Sequence, residues 1–360
     1  MKKISTIRSI KCGILHVCRF LGLFGLSARF FRRRLHILCY HGFEVLDECS
    51  FRPLLFISRS TFAERLRRIE EYGMNVLPLE QAIQELRDGT MPERAVVITI
   101  DDGFASTSSI AVPLLQKSRM PATVYLTTYY SERNVPIFRL AVQYLFWRAG
   151  VSVVTAAKLD LDDRGSTDES LSVETVVKHG EALDTEDKRQ TLLVRLAGAL
   201  GVDTRTLYDN RLLSLMSGDE VRAIAAQGID VQLHTHRHRF PRHDKAAACT
   251  EIEENRARLE ALTGRSARHF CYPSGEFAST QWPWLESLGI KSATTCLPGS
   301  NAPETPPYGL RRFLDSEGVR PIEFDAELAG FGELIRVFKS AVSLGTAGRS
   351  DAYESQTASR

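Results

Sequence analysis

Two short, almost unbroken apolar runs, Ala95–Ile100 and Ala122–Thr127, flank a helical stretch around Ala111–Leu115. A strand with one face in water alternates apolar with polar residues, so a continuous run marks a strand covered on both faces. Such strands pair in parallel and need helical crossovers, which restricts the chain to parallel β/α architecture. The alternation extends from His36 almost to Arg312, with further strands read at Ile37–Tyr40, Ile229–Leu233 and Arg268–Tyr272. Between them, Thr61-Phe62-Ala63-Glu64 reads as a capping box opening a helix that sets Phe62, Leu66 and Ile69 on one face and stops at Gly73. Other helices are predicted from Leu79 to Arg87, from about Lys245 to Leu262 before Gly264, and ahead of Gly289.

Residues 131–215 break this pattern. Pro136 to Trp147 is apolar, Leu159 to Ser172 acidic and turn-rich, and Thr185 to Leu200 helical, so the stretch is read as a helical insertion in a main domain spanning 35–340. Residues 341–360 carry little apolar content and are expected to be a disordered tail. The first 34 residues form a basic segment, since no Asp or Glu precedes Glu44. In it Ile7, Ile10, Ile14, Val17, Leu21 and Phe24 recur at three- and four-residue steps. Two readings stay open for this arm: an interfacial helix in peripheral contact with an anionic membrane, or a terminus that is packed on the main domain or poorly ordered.

A net charge of +2 with balanced signs elsewhere argues against a nucleic-acid partner, which would call for a basic stripe across the folded domain. The seven cysteines are scattered and include no CxxC pair, so neither a disulfide framework nor a zinc ribbon is predicted. A reducing compartment follows, cytoplasmic or peripheral at the cytoplasmic membrane face. The apolar run near the start ends in Phe30-Phe31 and three arginines rather than at a small-residue cleavage site, which speaks against export without closing it off.

In parallel β/α folds functional groups gather where strands end. Thr99-Ile100-Asp101-Asp102-Gly103 places two adjacent carboxylates after a buried strand, where one can serve as a ligand and its neighbour as a base. His234-Thr235-His236-Arg237-His238 follows another strand, and the four-residue spacing of His234 and His238 lets two imidazoles converge on one ion. His236 stays open as a substitute ligand. In Phe270-Cys271-Tyr272-Pro273-Ser274-Gly275 a proline ends a strand and leaves a following N–H free to meet a developing oxyanion.

Taken in this order, the three strand ends resemble the motifs of the polysaccharide deacetylase, or NodB-homology, family (carbohydrate esterase family four). The likeness extends through Cys39-Tyr40-His41-Gly42, Leu114 to Thr127, Glu251 to Gly264 and the closing Leu310-Arg311-Arg312, covering most of residues 36 to 315. It implies a distorted (β/α)7 barrel. It also implies Asp101 as general base, a divalent metal, commonly zinc, held by Asp102, His234 and His238, and the Ser274 N–H as oxyanion donor. Tyr272, Pro273 and Gly275 belong to the substrate-binding third motif. The implied reaction is hydrolysis of an N-acyl group on an amino sugar of a glycan. A small non-sugar amide or imide as substrate, or a carbohydrate-binding relative without turnover, stay open as alternatives.

Two departures stand out. Cys271 occupies the place where many members carry an arginine that holds the catalytic aspartate, and Arg268 lies three positions earlier. No Leu-x-His closes the chain to supply a general acid, which leaves His41, at the end of the first strand, as the candidate for a further active-site group. Phe104, Tyr129, Tyr130, Trp147, Trp282 and Trp284 are candidates for stacking on sugar rings.

Overall fold

The computed structural model describes residues 2–155, 159 and 170–344. The expected tail beyond 344 and most of the acidic stretch within Leu159 to Ser172 lie outside the described residues. Eight strands build one parallel sheet: β1 (His36–Tyr40), β2 (Asn75–Val76), β3 (Ala95–Ile100), β4 (Thr123–Leu126), β5 (Asp230–Leu233), β6 (His269–Cys271), β7 (Ser292–Thr294) and β8 (Phe313–Leu314). Their order is β7-β6-β5-β4-β3-β1-β8, with β2 paired to the start of β3. The two ends of this path meet. Thr294 of β7 bridges Leu310, three residues before β8, and β8 registers on β1 through Leu38↔Phe313 and Cys39↔Leu314. The sheet therefore curls into the distorted (β/α)7 barrel, closed at one seam by little more than the segment Leu310–Leu314.

All residues of β1 and β3 are buried, as two-sided covering requires. One core joins sheet to helices, with Leu38, Ile98, Val124, Leu233 and Phe270 from strands meeting Phe62, Leu66, Ile252 and Leu259 from helices. Each such side chain contributes about 1.5–3 kcal/mol on leaving water. One helix begins earlier than its predicted capping box. It spans Arg59–Glu71, and Ser58 is the N-cap, accepting from Thr61 N–H, because the first suitable hydroxyl after the extended Phe56–Ile57 already captures a free amide.

The stretch read as an insertion contributes to a second core, in which Phe138, Leu145, Val176, Leu193 and Leu196 pack together with Phe56 and Phe104. Three of its helices are Phe138–Ala149, Val173–Ala182 and Glu186–Leu200. Gly180 is needed where two of them cross, since a Cβ there would lie 2.1 Å from the Phe138 ring. The bridge Pro136↔Ser214 joins the two ends of this unit, and Phe104↔Leu215 ties it to the loop that follows β3, placing it beside the carboxyl ends of the strands.

At the other end of the barrel, helix α1 (Lys2–Phe20) and helix α2 (Leu23–Phe30) form a bent pair, Arg8–Phe20 and Leu23–Phe30 meeting at 80°. Phe24, Gly25 and Ala28 of α2 share a cavity with His36, Met74 and Arg94, which lie at or just before the starts of strands. Cys12 and Leu15 pack on Ile322 and Ala326 of helix Pro321–Leu328, while Ile10, Ile14, Val17 and Leu21 of the predicted stripe face solvent. No single helix among the described residues is long and apolar enough to cross a membrane.

Candidate active site

Asp101 and Asp102 leave β3 in opposite directions because the chain turns sharply between them. Asp102 adopts φ 65° and Gly103 φ 81°, and a Cβ on Gly103 would lie 2.2 Å from Leu126 Cδ1, so the third residue of Asp-Asp-Gly has to be glycine. After β5, Thr235 and His238 also have positive φ, as does Ser274 after β6. Four of the nine non-glycine residues with positive φ among the described residues thus sit in these three loops. Strain of this kind costs of order 1–3 kcal/mol per residue and persists where the surroundings over-determine it.

What it achieves is convergence. Asp102 Oδ1 lies 3.2 Å from His234 Nε2 and 3.3 Å from His238 Nε2. Ligands placed tetrahedrally about 2.0–2.1 Å from one ion stand roughly 3.3 Å apart, so these atoms already have the spacing of a zinc-type site. Hydrogen bonding supplies a second test of fit. His234 Nδ1 is 2.8 Å from the Cys271 carbonyl, which can only accept, so Nδ1 carries the proton and a neutral ring turns the bare lone pair of Nε2 toward a carboxylate. Two facing lone pairs need a cation between them. Burial disfavours the charged ring, but Cys271 and the bond to Asp102 raise His234 well above the ordinary histidine value. Burial likewise opposes a charged Asp102, and the bonds from His234 and His238 prevail, holding it well below the carboxylate range.

The support behind these ligands is dense. Asn255 is fully buried, accepts from His234 N–H and donates to Leu126 O and Thr128 Oγ1, clamping the ends of β4 and β5 together. Thr127 Oγ1 donates to the His234 and Thr235 carbonyls. Partners of this kind fix ring orientation at metal sites.

Asp101 has a different neighbour, and it is not Arg268, whose guanidinium reaches only Ser266 at the surface. Arg312, carried by the seam segment, grips the carboxylate at both oxygens, Nη1 to Oδ1 and Nη2 to Oδ2, each at 2.7 Å. It also donates to Thr295 O and Cys271 Sγ and is fully buried. Burial alone would push the Asp101 pKa up, but the guanidinium outweighs it and keeps the group ionised well below the usual range. Cys271, where an arginine was expected, is small enough to leave room for this reach and lies 3.3 Å from Asp101 Oδ2. The signal in the sequence was the Leu310-Arg311-Arg312 close; its partner could not be read from it.

His41, Asp101, Asp102, His234 and His238 line one cavity of about 640 Å³, with Tyr272, Ser274 and Gly275 on the same wall. His41 Nε2 lies 3.8 Å from Asp101 Oδ2, and burial lowers its pKa despite the two aspartates, so the ring is neutral. Ser274 N–H donates to no acceptor among the described residues, whereas Gly275 N–H and Glu276 N–H bond back to Tyr272 O and Pro273 O. Pro273 is not part of the cavity wall, and the Tyr272 hydroxyl is committed to Tyr308 O. His236 is turned away. Its Nδ1 sits 2.8 Å from Thr128 Oγ1, because the left-handed backbone at Thr235, φ 62°, breaks the extended alternation that would have set it on the side of His234, and burial lowers its pKa to about 4. Of the six aromatic candidates only Tyr130 reaches the cavity; Phe104 is buried in the second core, and Trp282 and Trp284 pack against the barrel core.

The family model for polysaccharide deacetylase matches residues 88–169 and 173–293, more than half of the chain and all three strand ends. Among solved structures, the Streptococcus pyogenes deacetylase PplD in complex with acetate is similar at a TM-score of 0.55 and 15% identity, over 81% of this chain and 96% of that one. IcaB from Ammonifex degensii is similar at 0.53 and 19%, over 82% and 96%. A de-N-acetylase from Aggregatibacter actinomycetemcomitans is similar at 0.52 and 14%, over 81% and 98%. At these identities the structures speak for the fold alone. No curated protein matches the chain. With that shared barrel, and a family match running through the paired aspartates, the two converging histidines and the turn at Ser274, the chain belongs to the polysaccharide deacetylase family.

Proposed function

We propose that the cavity hydrolyses an N-acetyl group on an amino sugar of a glycan. The observation that carries this reading is the split between adjacent carboxylates: Asp102 meets two imidazoles at ligand spacing, while Asp101 is held apart by Arg312. A divalent cation such as zinc, held by Asp102, His234 and His238, supplies Lewis acidity toward the acyl carbonyl and the attacking water. Asp101 accepts the proton that the water gives up, and Arg312 keeps it ionised and fixed in one orientation for that purpose. The Ser274 N–H, without an acceptor among the described residues, donates to the oxyanion as the acyl carbon becomes tetrahedral. Neutral His41, beside Asp101, is the group through which the proton reaches the leaving amine.

Different jobs for adjacent residues mean different failures on substitution. Asp102→Asn is expected to lose the metal, an amide oxygen being a weaker ligand, and activity with it. Asp101→Asn should keep the metal and lose roughly 10²- to 10⁴-fold in kcat, because an amide cannot act as the base. Metal content by elemental analysis beside acetate release from N-acetylated glycans decides the matter. Equal metal loss in both variants, or a near-normal rate in Asp101→Asn, overturns the assignment.

A further inference from the structure

The α1–α2 pair carries large apolar residues on both of its sides. Cys12, Leu15 and Phe24 are buried against the main domain, and three cations reach back to its acids: Arg8 and Lys11 pair with Glu323 at 3.0 and 2.8 Å, and Arg19 pairs with Asp325 at 2.7 Å. Most of its other large apolar residues are exposed. Ile10, Ile14, Val17 and Leu21 follow one face of α1 and are each more than half exposed, Phe20 is 90% exposed, and on α2 Leu26 and Phe30 stand one turn apart in the same condition. Seven of the fifteen exposed large apolar residues among the described residues therefore fall within 21 consecutive positions. Single exposed apolar residues need no explanation, but seven of them on two adjoining helices that buried contacts and ion pairs fix to the domain mark an interaction surface.

We infer that this face docks the protein on an anionic lipid bilayer. Charge complementarity favours that occupant over a second copy of the chain. Arg29 and Arg33 are exposed beside the patch and pair with no acid among the described residues, and the segment that carries the patch holds no Asp or Glu at all. Two such faces brought together would oppose like charges without an acidic partner, whereas lipid phosphates neutralise them. The bend of 80° fits helices lying in the interface with one apolar face sunk among acyl chains rather than spanning. Because α2 borders the amino ends of the strands, a bilayer held there leaves the cavity of Asp101 and His234 facing away from the lipid.

Co-sedimentation of the full chain with vesicles tests the inference, using pure phosphatidylcholine and a mixture about one-third phosphatidylglycerol. The parent is expected to bind the anionic vesicles, and the neutral ones about tenfold more weakly. The triple variant Ile14→Glu, Val17→Glu, Phe20→Glu should lose binding to both by at least tenfold. Arg29→Gln with Arg33→Gln should bring anionic binding down to the neutral level. All variants should melt with the parent and keep its activity on a soluble substrate, since these side chains touch neither core nor cavity. A parent that stays in the supernatant with both vesicles, or a triple variant that binds like the parent, overturns the inference. So does a lipid-independent dimer that the triple variant dissolves, which would make the face a contact between copies.

Discussion

Two arginine–aspartate pairs are buried at strand ends on either side of β1, and their carboxylates are shifted in opposite directions. Arg312 meets Asp101 with two parallel N–H donors, one per oxygen, and the acid stays charged. Arg65 meets Asp315, directly after β8, through Nε alone at 2.9 Å; its Nη2 goes to Val319 O, and its plane lies over Phe324. There burial prevails, and the Asp315 pKa is pushed up to about 6. Both pairs are out of water, so depth cannot explain the difference. The number and direction of donors aimed at the carboxylate decide it, and the bidentate grip is found where the proposed chemistry needs a permanent anion.

Breaking the bidentate pair should have the largest effect. Arg312→Gln leaves Asp101 buried without its counter-charge, and a loss of about 3–5 kcal/mol in denaturant melts is expected. Below both melting temperatures kcat should still be down at least ~10²-fold, as a base that is protonated or swivelled cannot serve. Arg312→Lys should recover charge but not geometry and regain only part of the rate. Unchanged turnover in Arg312→Gln would reduce the pair to architecture.

A smaller loss is expected from Arg65→Met, about 2–4 kcal/mol, because Asp315 can take up a proton when left alone. Its kcat, measured on folded protein, should stay within about twofold of the parent. A fall in rate as large as that of Arg312→Gln would show that the two pairs are one network.

The smallest effect is a slope. The folded-state pKa of Asp315, about 6, lies above an unfolded value of about 3.9. Between them the folded form holds a proton that the unfolded form has released, so this group's contribution is fully present below about pH 4 and lost as pH rises through about 6. Asp315→Asn cannot titrate. The stability difference between parent and variant should therefore drift against the parent by about 2–3 kcal/mol from pH 4 to 7, and a flat difference would mean that Arg65 holds Asp315 as firmly as Arg312 holds Asp101.

Local sequence spoke clearly where local physics decides. Unbroken apolar runs located β3 and β4, and residues just beyond strands supplied Asp101, Asp102, His234 and His238, since parallel strands deliver their ends to one rim. Pairings across long sequence distance were illegible. Arg268 was the nearest arginine along the chain, yet Arg312 is nearest in space, brought there by the register of β8 on β1. The same blindness affected the arm: its stripe was visible at helical spacing, but its ion pairs with Glu323 and Asp325, some three hundred residues on, were not. The aromatic candidates failed for a related reason, because composition does not tell a ring that lines a cavity from one that fills a core.

The grip of Arg312 on Asp101 closes a loop of 211 residues across the seam of the barrel, which would make the proposed catalysis a late event in folding. Contacts of such sequence separation form only after the entropy of the intervening polypeptide has been overcome, so the segment that carries Arg312 is expected to dock late, and with it the hold on the proposed base. A nascent or partly unfolded molecule can gather Asp102, His234 and His238 into a metal-binding cluster while its base is still unheld. In a refolding experiment, metal uptake should accordingly run ahead of turnover, and the appearance of activity reports that the ring has shut.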